Sequence, residues 1–126
     1  MAFIFHNLLI LGHLLIGLYF AFLGCWNIYH WVPILKVLAE RGTPHPYFVL
    51  PVGIAIQIIT GVMIMFGILI PIAALVLIPS TIVIICIFHP FWHFKGESRM
   101  LNFTIFISNL TVTLGALILL LIPQIV

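Results

Sequence analysis

Residues 42–94 read GTPHPYFVLPVGIAIQIITGVMIMFGILIPIAALVLIPSTIVIICIFHPFWHF and contain no Lys, Arg, Asp or Glu. A transmembrane helix crosses the hydrocarbon core in about 20 residues at a rise of about 1.5 Å each. The uncharged stretch is therefore too long for one crossing and long enough for two. Pro71, near its midpoint, marks the break between them. The sequence predicts two membrane helices joined by a tight turn at the centre of the chain.

The six formal charges lie outside this stretch, in two short clusters: Lys36, Glu40 and Arg41, then Lys95, Glu97 and Arg99. A composition of 65% hydrophobic and 5% charged residues leaves too little polar material to cover a soluble domain. The lipid bilayer is therefore the expected partner of most of the surface. The net charge is only +2, which excludes the large basic patch of a nucleic-acid-binding protein.

The hydrophobic pattern predicts an all-α protein, an integral membrane four-helix bundle in up-down-up-down order that forms a single transmembrane domain over residues 1–126. Runs such as LLIL and IVII lack the period-2 alternation of membrane strands. The segment Trp31–Arg41 is expected to form a short interfacial helix between the first two spans. The four spans are expected at Leu8–His30, Tyr47–Leu69, Ile72–His89 and Asn102–Ile122.

The positions of the cations predict an orientation. Every Lys and Arg lies in the first or third connection, and these two share one side of a four-helix protein. The positive-inside rule then places both charged loops in the cytoplasm and both termini outside. The first segment, Met1–His6, lacks the basic region of a signal peptide, so the first helix is expected to be retained.

Small residues recur at helical spacing on the first two spans. His13, Gly17, Ala21 and Cys25 share one face of the first span, and Gly53, Gln57 and Gly61 share one face of the second. Because lipid tails are as apolar as leucine, membrane helices associate through close approach at small residues and through shared hydrogen bonds. These faces are therefore expected to pack inside the bundle.

Polar side chains at one depth form the first candidate site. Counted from the charged ends at about 1.5 Å per residue, several fall in the inner half of the membrane. They predict a small ligand-binding pocket, and the alternative is that they form interhelical hydrogen bonds only. The residues are Cys25, Asn27, Gln57, Ser80, Thr81, Cys86 and Asn109.

The same depth argument brings Cys25 and Cys86 to one level, where they are a candidate dithiol/disulfide redox pair. The alternative is that both cysteines are inert, as a thiol buried in apolar surroundings is.

A third candidate site is a Zn²⁺ or Cu²⁺ centre at the charged face, because neutral imidazole suits both metals. Pro90 disfavours a helical conformation at His89, and an aromatic interfacial belt is the alternative explanation of this face. The candidate ligands are His30, His45, His89 and His93.

Several short motifs resemble, in order and spacing, those of the DoxX-like family of small four-helix membrane proteins. They are His13-Leu-Leu-Ile-Gly17, Gly24-Cys-Trp-Asn27, Gln57-Ile-Ile-Thr-Gly61 and His89-Pro-Phe91-Trp92.

The resemblance implies a protein of the bacterial inner (plasma) membrane with a quinone-linked or thiol-linked redox role, since some members are subunits of thiosulfate:quinone oxidoreductase or partners of other redox proteins. A quinone is the implied cofactor, and Phe91 and Trp92 become the expected mouth of the pocket. A homodimer or a redox-protein partner is also expected.

This chain departs from the family pattern where members commonly carry Arg, Lys, Glu and Arg, since it has His13, Asn27, Gln57 and Pro71. A neutral lining favours an accessory, non-catalytic subunit that binds a quinone or a lipid. A membrane oxidoreductase component and a small metal-handling or transport protein are the alternatives.

Overall fold

The computed structural model of the chain describes residues 1–122 and consists of helices joined by short turns. A single 3₁₀ turn, Phe91–His93, follows the fourth helix, and a π turn, Asn109–Thr113, separates the fifth from the sixth. The helices are α1 (Ala2–Tyr29), α2 (Trp31–Glu40), α3 (Pro46–Met65), α4 (Ile70–Phe88), α5 (Gly96–Ser108) and α6 (Leu114–Leu119).

Four stretches are long and apolar enough to cross a membrane, which confirms the all-α four-helix membrane fold. The fourth of them includes α5, the π turn and α6. The stretches are Ala2–Tyr29, Pro46–Met65, Ile70–His93 and Gly96–Leu119.

Several helix ends differ from the predicted ones. α1 begins at Ala2 rather than Leu8, and α5 begins at Gly96 rather than Asn102. α3 instead ends early, at Met65, because Gly67 takes a φ of +70°, a left-handed conformation that cannot continue a helix. Pro71 lies in the first turn of α4, where its missing N–H costs no hydrogen bond.

The interfacial helix α2 packs against the end of the bundle that carries the charged loops. Its Leu38 is 3% exposed and forms a buried cluster with Leu50 and Ile54 of α3. Lys36 and Glu40 of the same helix are exposed. The predicted short helix between the first two spans is therefore present, with its apolar face on the protein and its charged face outward.

All four spans meet only in the half of the bundle that contains α6. Within residues 1–122, α5 buries no residue, whereas α6 inserts leucines among α1, α3 and α4. This half holds the main core, which consists of Phe20, Ile64, Ala73, Ala74, Leu77, Leu114, Leu117 and Leu120.

The backbones of α1 and α3 touch where these helices cross. A Cβ atom added to Gly61 would lie 2.7 Å from both the carbonyl oxygen of Gly17 and the amide nitrogen of Ala21. Only glycine permits this approach. The predicted small-residue faces of the first two spans therefore do pack against each other at Gly17, Ala21 and Gly61.

The two charged loops lie at the same end of the bundle. The Arg41 guanidinium stands 4.9 Å from the centre of the Phe94 ring, so the connection after α2 contacts the connection before α5. This contact is a cation–π interaction. The loops that hold the two charge clusters are thereby joined.

Candidate ligand cavity

A cavity of about 350 Å³ lies between α3 and α4, in the half of the bundle that carries α2. Its walls are apolar except for Asn27, Gln57 and Ser80. α1 contributes Asn27, α2 contributes Ile34 and Leu38, and the remaining lining residues belong to α3 and α4. A volume of this size lies at the lower end of the range of about 300–1,000 Å³ that is typical of small-molecule sites.

Local sequence explains why this space stays open. Gly53 lines the cavity on α3, and a Cβ atom added to it would meet nothing within 4 Å. Proline lies inside both helices, at Pro51 in α3 and Pro79 in α4, and Pro79 also lines the cavity. A proline inside a helix removes one backbone hydrogen bond and bends the helix axis, which separates neighbouring helices.

The polar centre of the cavity is a pair of amides from two spans. Asn27 Nδ2 on α1 donates a hydrogen bond of 2.9 Å to Gln57 Oε1 on α3. Gln57 is 5% exposed, and neither its NH₂ group nor the Asn27 carbonyl oxygen has a hydrogen-bond partner in the part of the chain that the structure describes. The pair thus presents one free donor group and one free acceptor. Exchanging O and N in both amides leaves this inventory unchanged.

Ser80 lines the cavity but offers it no hydrogen-bond donor. Its hydroxyl donates to the carbonyl oxygen of Val76 at 2.8 Å, one turn earlier in α4. The proton is therefore committed to the helix backbone, and only oxygen lone pairs face the cavity. Asn27 and Gln57 supply the directional hydrogen bonds.

The other six residues of the predicted pocket lie outside the cavity, and Thr81 and Cys86 are two of them. Cys25 is exposed on α1. Asn109 begins the π turn, and its Nδ2 donates to the carbonyl oxygen of Ile105 at 2.9 Å. Phe91 and Trp92 pack instead on α5, with ring centres 4.9 Å from Phe103 and 5.8 Å from Phe106 respectively. These two aromatic residues therefore do not form the mouth of this cavity.

The two cysteines are separate free thiols. Cys25 is exposed and Cys86 is half-buried, and neither lines the cavity between α3 and α4. α1 packs mainly on α3, whereas α4 packs on α3 and α6. The redox pair stays a prediction.

The four histidines of the charged face are not gathered into one centre. Within residues 1–122 no group of three or more His, Cys, Asp or Glu side chains is arranged to hold a metal ion. His30 stacks on Trp26 with ring centres 4.2 Å apart. Pro90 ends the helical conformation at His89, whose φ is −128° and ψ 52°, so His89 and His93 do not share one helical face.

His89 has a different partner. Its Nδ1 lies 3.0 Å from Asn102 Oδ1, and Asn102 Nδ2 donates to the carbonyl oxygen of Ser98 at 2.8 Å. Because the Asn102 amide nitrogen is used by Ser98, its oxygen must accept, and His89 Nδ1 must carry the proton. This bond ties the end of α4 to α5.

Sequence reasoning missed most of the cavity lining, which is apolar. Phe48, Val52 and Phe88 line it, and nothing distinguishes them in sequence from the lipid-facing residues of the same helices. The one usable signal was Gly53, which shares a helical face with Gln57.

Comparison with known proteins gives one match. The DoxX family model matches residues 8–90 of the 126-residue chain, a range that contains every residue lining the cavity between α3 and α4. No curated protein and no solved structure matches the chain. With four membrane-spanning helices and a family match over most of its length, the chain belongs to the DoxX family of integral membrane proteins.

Proposed function

We propose that this chain is an accessory, non-catalytic subunit of the bacterial inner membrane that binds a quinone in the cavity between α3 and α4. The NH₂ group of Gln57, which has no hydrogen-bond partner within residues 1–122 and belongs to an almost fully buried side chain in a largely apolar cavity, is the observation that carries the proposal. The subunit would act beside a catalytic redox protein or a second copy of itself. The Lys and Arg side chains of its two charged loops would face the cytoplasm.

The chemistry of a quinone fits the amide pair in both redox forms. A quinone carbonyl accepts a hydrogen bond from the free NH₂ group of Gln57, and a quinol hydroxyl donates one to the Asn27 carbonyl oxygen. The apolar walls suit the ring and the first part of an isoprenoid tail. Carboxamide side chains do not ionise at physiological pH and therefore cannot serve as a general acid or base, so the cavity favours binding over catalysis.

The alternatives have less support from the site. A thiol-linked reaction needs a cysteine beside the quinone, and neither Cys25 nor Cys86 lines the cavity. Carboxylates within the membrane are the side chains that typically carry cation transport. The two carboxylate side chains of the chain, Glu40 and Glu97, lie in the charged clusters instead.

We expect Gln57→Leu to weaken quinone binding about tenfold, the loss that corresponds to one hydrogen bond in a dry site. The measurement is a titration of the nanodisc-reconstituted protein with decylubiquinone, followed by quenching of tryptophan fluorescence. Asn109→Leu is the matched control, because it removes the same kind of amide from the membrane outside the cavity and should leave affinity within twofold. Equal affinities of wild type and Gln57→Leu, or an equal loss in Asn109→Leu, would refute the cavity as the quinone site.

The proposed orientation has its own test. The chain has two lysines, Lys36 and Lys95, one in each charged cluster. A membrane-impermeant, amine-reactive reagent should modify both lysines in inverted inner-membrane vesicles and neither lysine in intact spheroplasts. Peptide mass spectrometry maps the modified positions. Modification of the two lysines from opposite sides contradicts the contact between their loops, and modification of both in spheroplasts reverses the orientation.

A further inference from the structure

A second cavity, of about 370 Å³, lies at the charged end of the bundle, between the 3₁₀ turn and the first turns of α5. Three of its five lining residues are large and apolar: Phe91, Met100 and Phe103. The others are Gly96 and Arg99. The cavity therefore combines apolar walls with a single cation.

The guanidinium of Arg99 is uncommitted. It is exposed, and within residues 1–122 it makes no hydrogen bond, ion pair or ring contact. Arg41, in contrast, stacks on Phe94. The surroundings are positive overall, because four Lys and Arg and only two Glu share this end of the bundle. An anion that approaches Arg99 is thus attracted by the whole face.

The apolar walls are held in place by the packing of the 3₁₀ turn on α5. The Phe91 ring lies 4.9 Å from the Phe103 ring and 5.2 Å from the Phe106 ring, in edge-to-face contacts. The His89–Asn102 hydrogen bond joins the same two segments. The aromatic wall of the cavity is therefore preformed. No residue of α5 is buried in the described bundle, so the apolar wall on α5 is open to lipid.

We propose that this cavity binds one anionic phospholipid, with its phosphate on Arg99 and the start of an acyl chain along Phe91 and Phe103. A guanidinium is the side chain best suited to a phosphodiester, because it can donate two parallel hydrogen bonds to two phosphate oxygens. A soluble phosphate would satisfy Arg99 but leave the aromatic walls unused. The lipid satisfies both, and its net negative charge matches the positive face. This site is separate from the cavity between α3 and α4.

The test is native mass spectrometry of the delipidated protein in detergent, with 1-palmitoyl-2-oleoyl phosphatidylglycerol, the matching phosphatidylcholine, or glycerol 3-phosphate added at equal concentration. Wild type should retain one phosphatidylglycerol in preference to phosphatidylcholine and should retain no glycerol 3-phosphate. Arg99→Gln should lower phosphatidylglycerol affinity about fivefold, the factor that corresponds to one basic residue at an anionic surface. Lys36→Gln removes the same charge from the exposed face of α2, away from the cavity, and should leave the affinity within twofold.

Three outcomes overturn the site. Equal retention of the two phospholipids shows that the net charge is not recognised. Binding of glycerol 3-phosphate as tightly as the phospholipid shows that the aromatic walls do not contribute. Arg99→Gln binding phosphatidylglycerol like wild type, with an unchanged thermal unfolding midpoint, shows that the lipid lies elsewhere. Decylubiquinone affinity should be the same in Arg99→Gln and wild type, which separates failure here from failure of the quinone proposal.

Discussion

Gly61→Ala should lower the free energy of unfolding by about 2–3 kcal/mol, although alanine is the better helix former by up to about 1 kcal/mol. The added Cβ atom would stand 2.7 Å from the Gly17 carbonyl oxygen and from the Ala21 amide nitrogen. Both are backbone atoms, which cannot rotate away as a side chain can. α1 and α3 must therefore move apart where they cross, which removes their close van der Waals packing. In a membrane this packing, rather than the hydrophobic effect, drives the association of helices.

The matched control is Gly115→Ala in α6, where an added Cβ atom meets open space. This change should be neutral or slightly stabilising, because it keeps only the gain in helix propensity. The free energy of unfolding of both variants is measured by reversible unfolding in mixed micelles with an increasing fraction of SDS. Gly61→Ala as stable as Gly115→Ala would mean that the two backbones do not touch in the membrane.

Leu117→Ala should cost about 2 kcal/mol, the lower end of the range for buried leucine truncation, because in lipid the packing term remains while the transfer term is small. Leu117 is 0% exposed and belongs to the core that joins all four spans. Since α5 buries no residue within the described bundle, α6 alone packs the fourth span into that core. Truncation should therefore loosen the fourth span before the other three.

Hydrogen–deuterium exchange of the detergent-solubilised protein tests the local effect. Peptides from residues 110–120 should gain deuterium faster in Leu117→Ala, while those of α3 stay protected. Leu119→Ala is the control, because the same residue type there is 62% exposed. Uniformly faster exchange in all four spans would show that the fourth span does not loosen on its own.

The sequence predicts the number of spans and their order well, because ionised side chains are excluded from the hydrocarbon core and their positions delimit the helices. Two charge clusters and Pro71 are enough to locate the turns. The helix ends were less predictable. α1 runs through the polar pair His6 and Asn7 to the apolar residues 2–5, and α5 begins at Gly96 within a charge cluster, since a few polar residues do not end a helix.

The candidate site was predictable only in part, because depth in the membrane does not specify direction around a helix. Asn27 and Gln57 were expected at one level and do meet, at 2.9 Å. Asn109 was expected at the same level, yet its amide bonds to its own helix. The direction of a side chain depends on the rotation of its helix about the helix axis. In the fourth span this rotation is altered by a π turn, which no sequence motif predicts. Cys25 was expected on the face that Gly17 and Ala21 share, yet it is exposed, and its neighbour Gly24 is buried against Ile58 of α3 instead.

The π turn at Asn109–Thr113 determines which changes in length the fourth span can accept. Such a turn holds about one residue more than an α-helical turn while covering a similar rotation. Deleting a single codon there would restore a regular helix and leave Leu114 and Leu117 facing their neighbours. A one-codon deletion elsewhere in α5 would instead rotate both leucines by about 100°. Across descendants of this gene, single-residue deletions in the fourth span should therefore be concentrated in this segment.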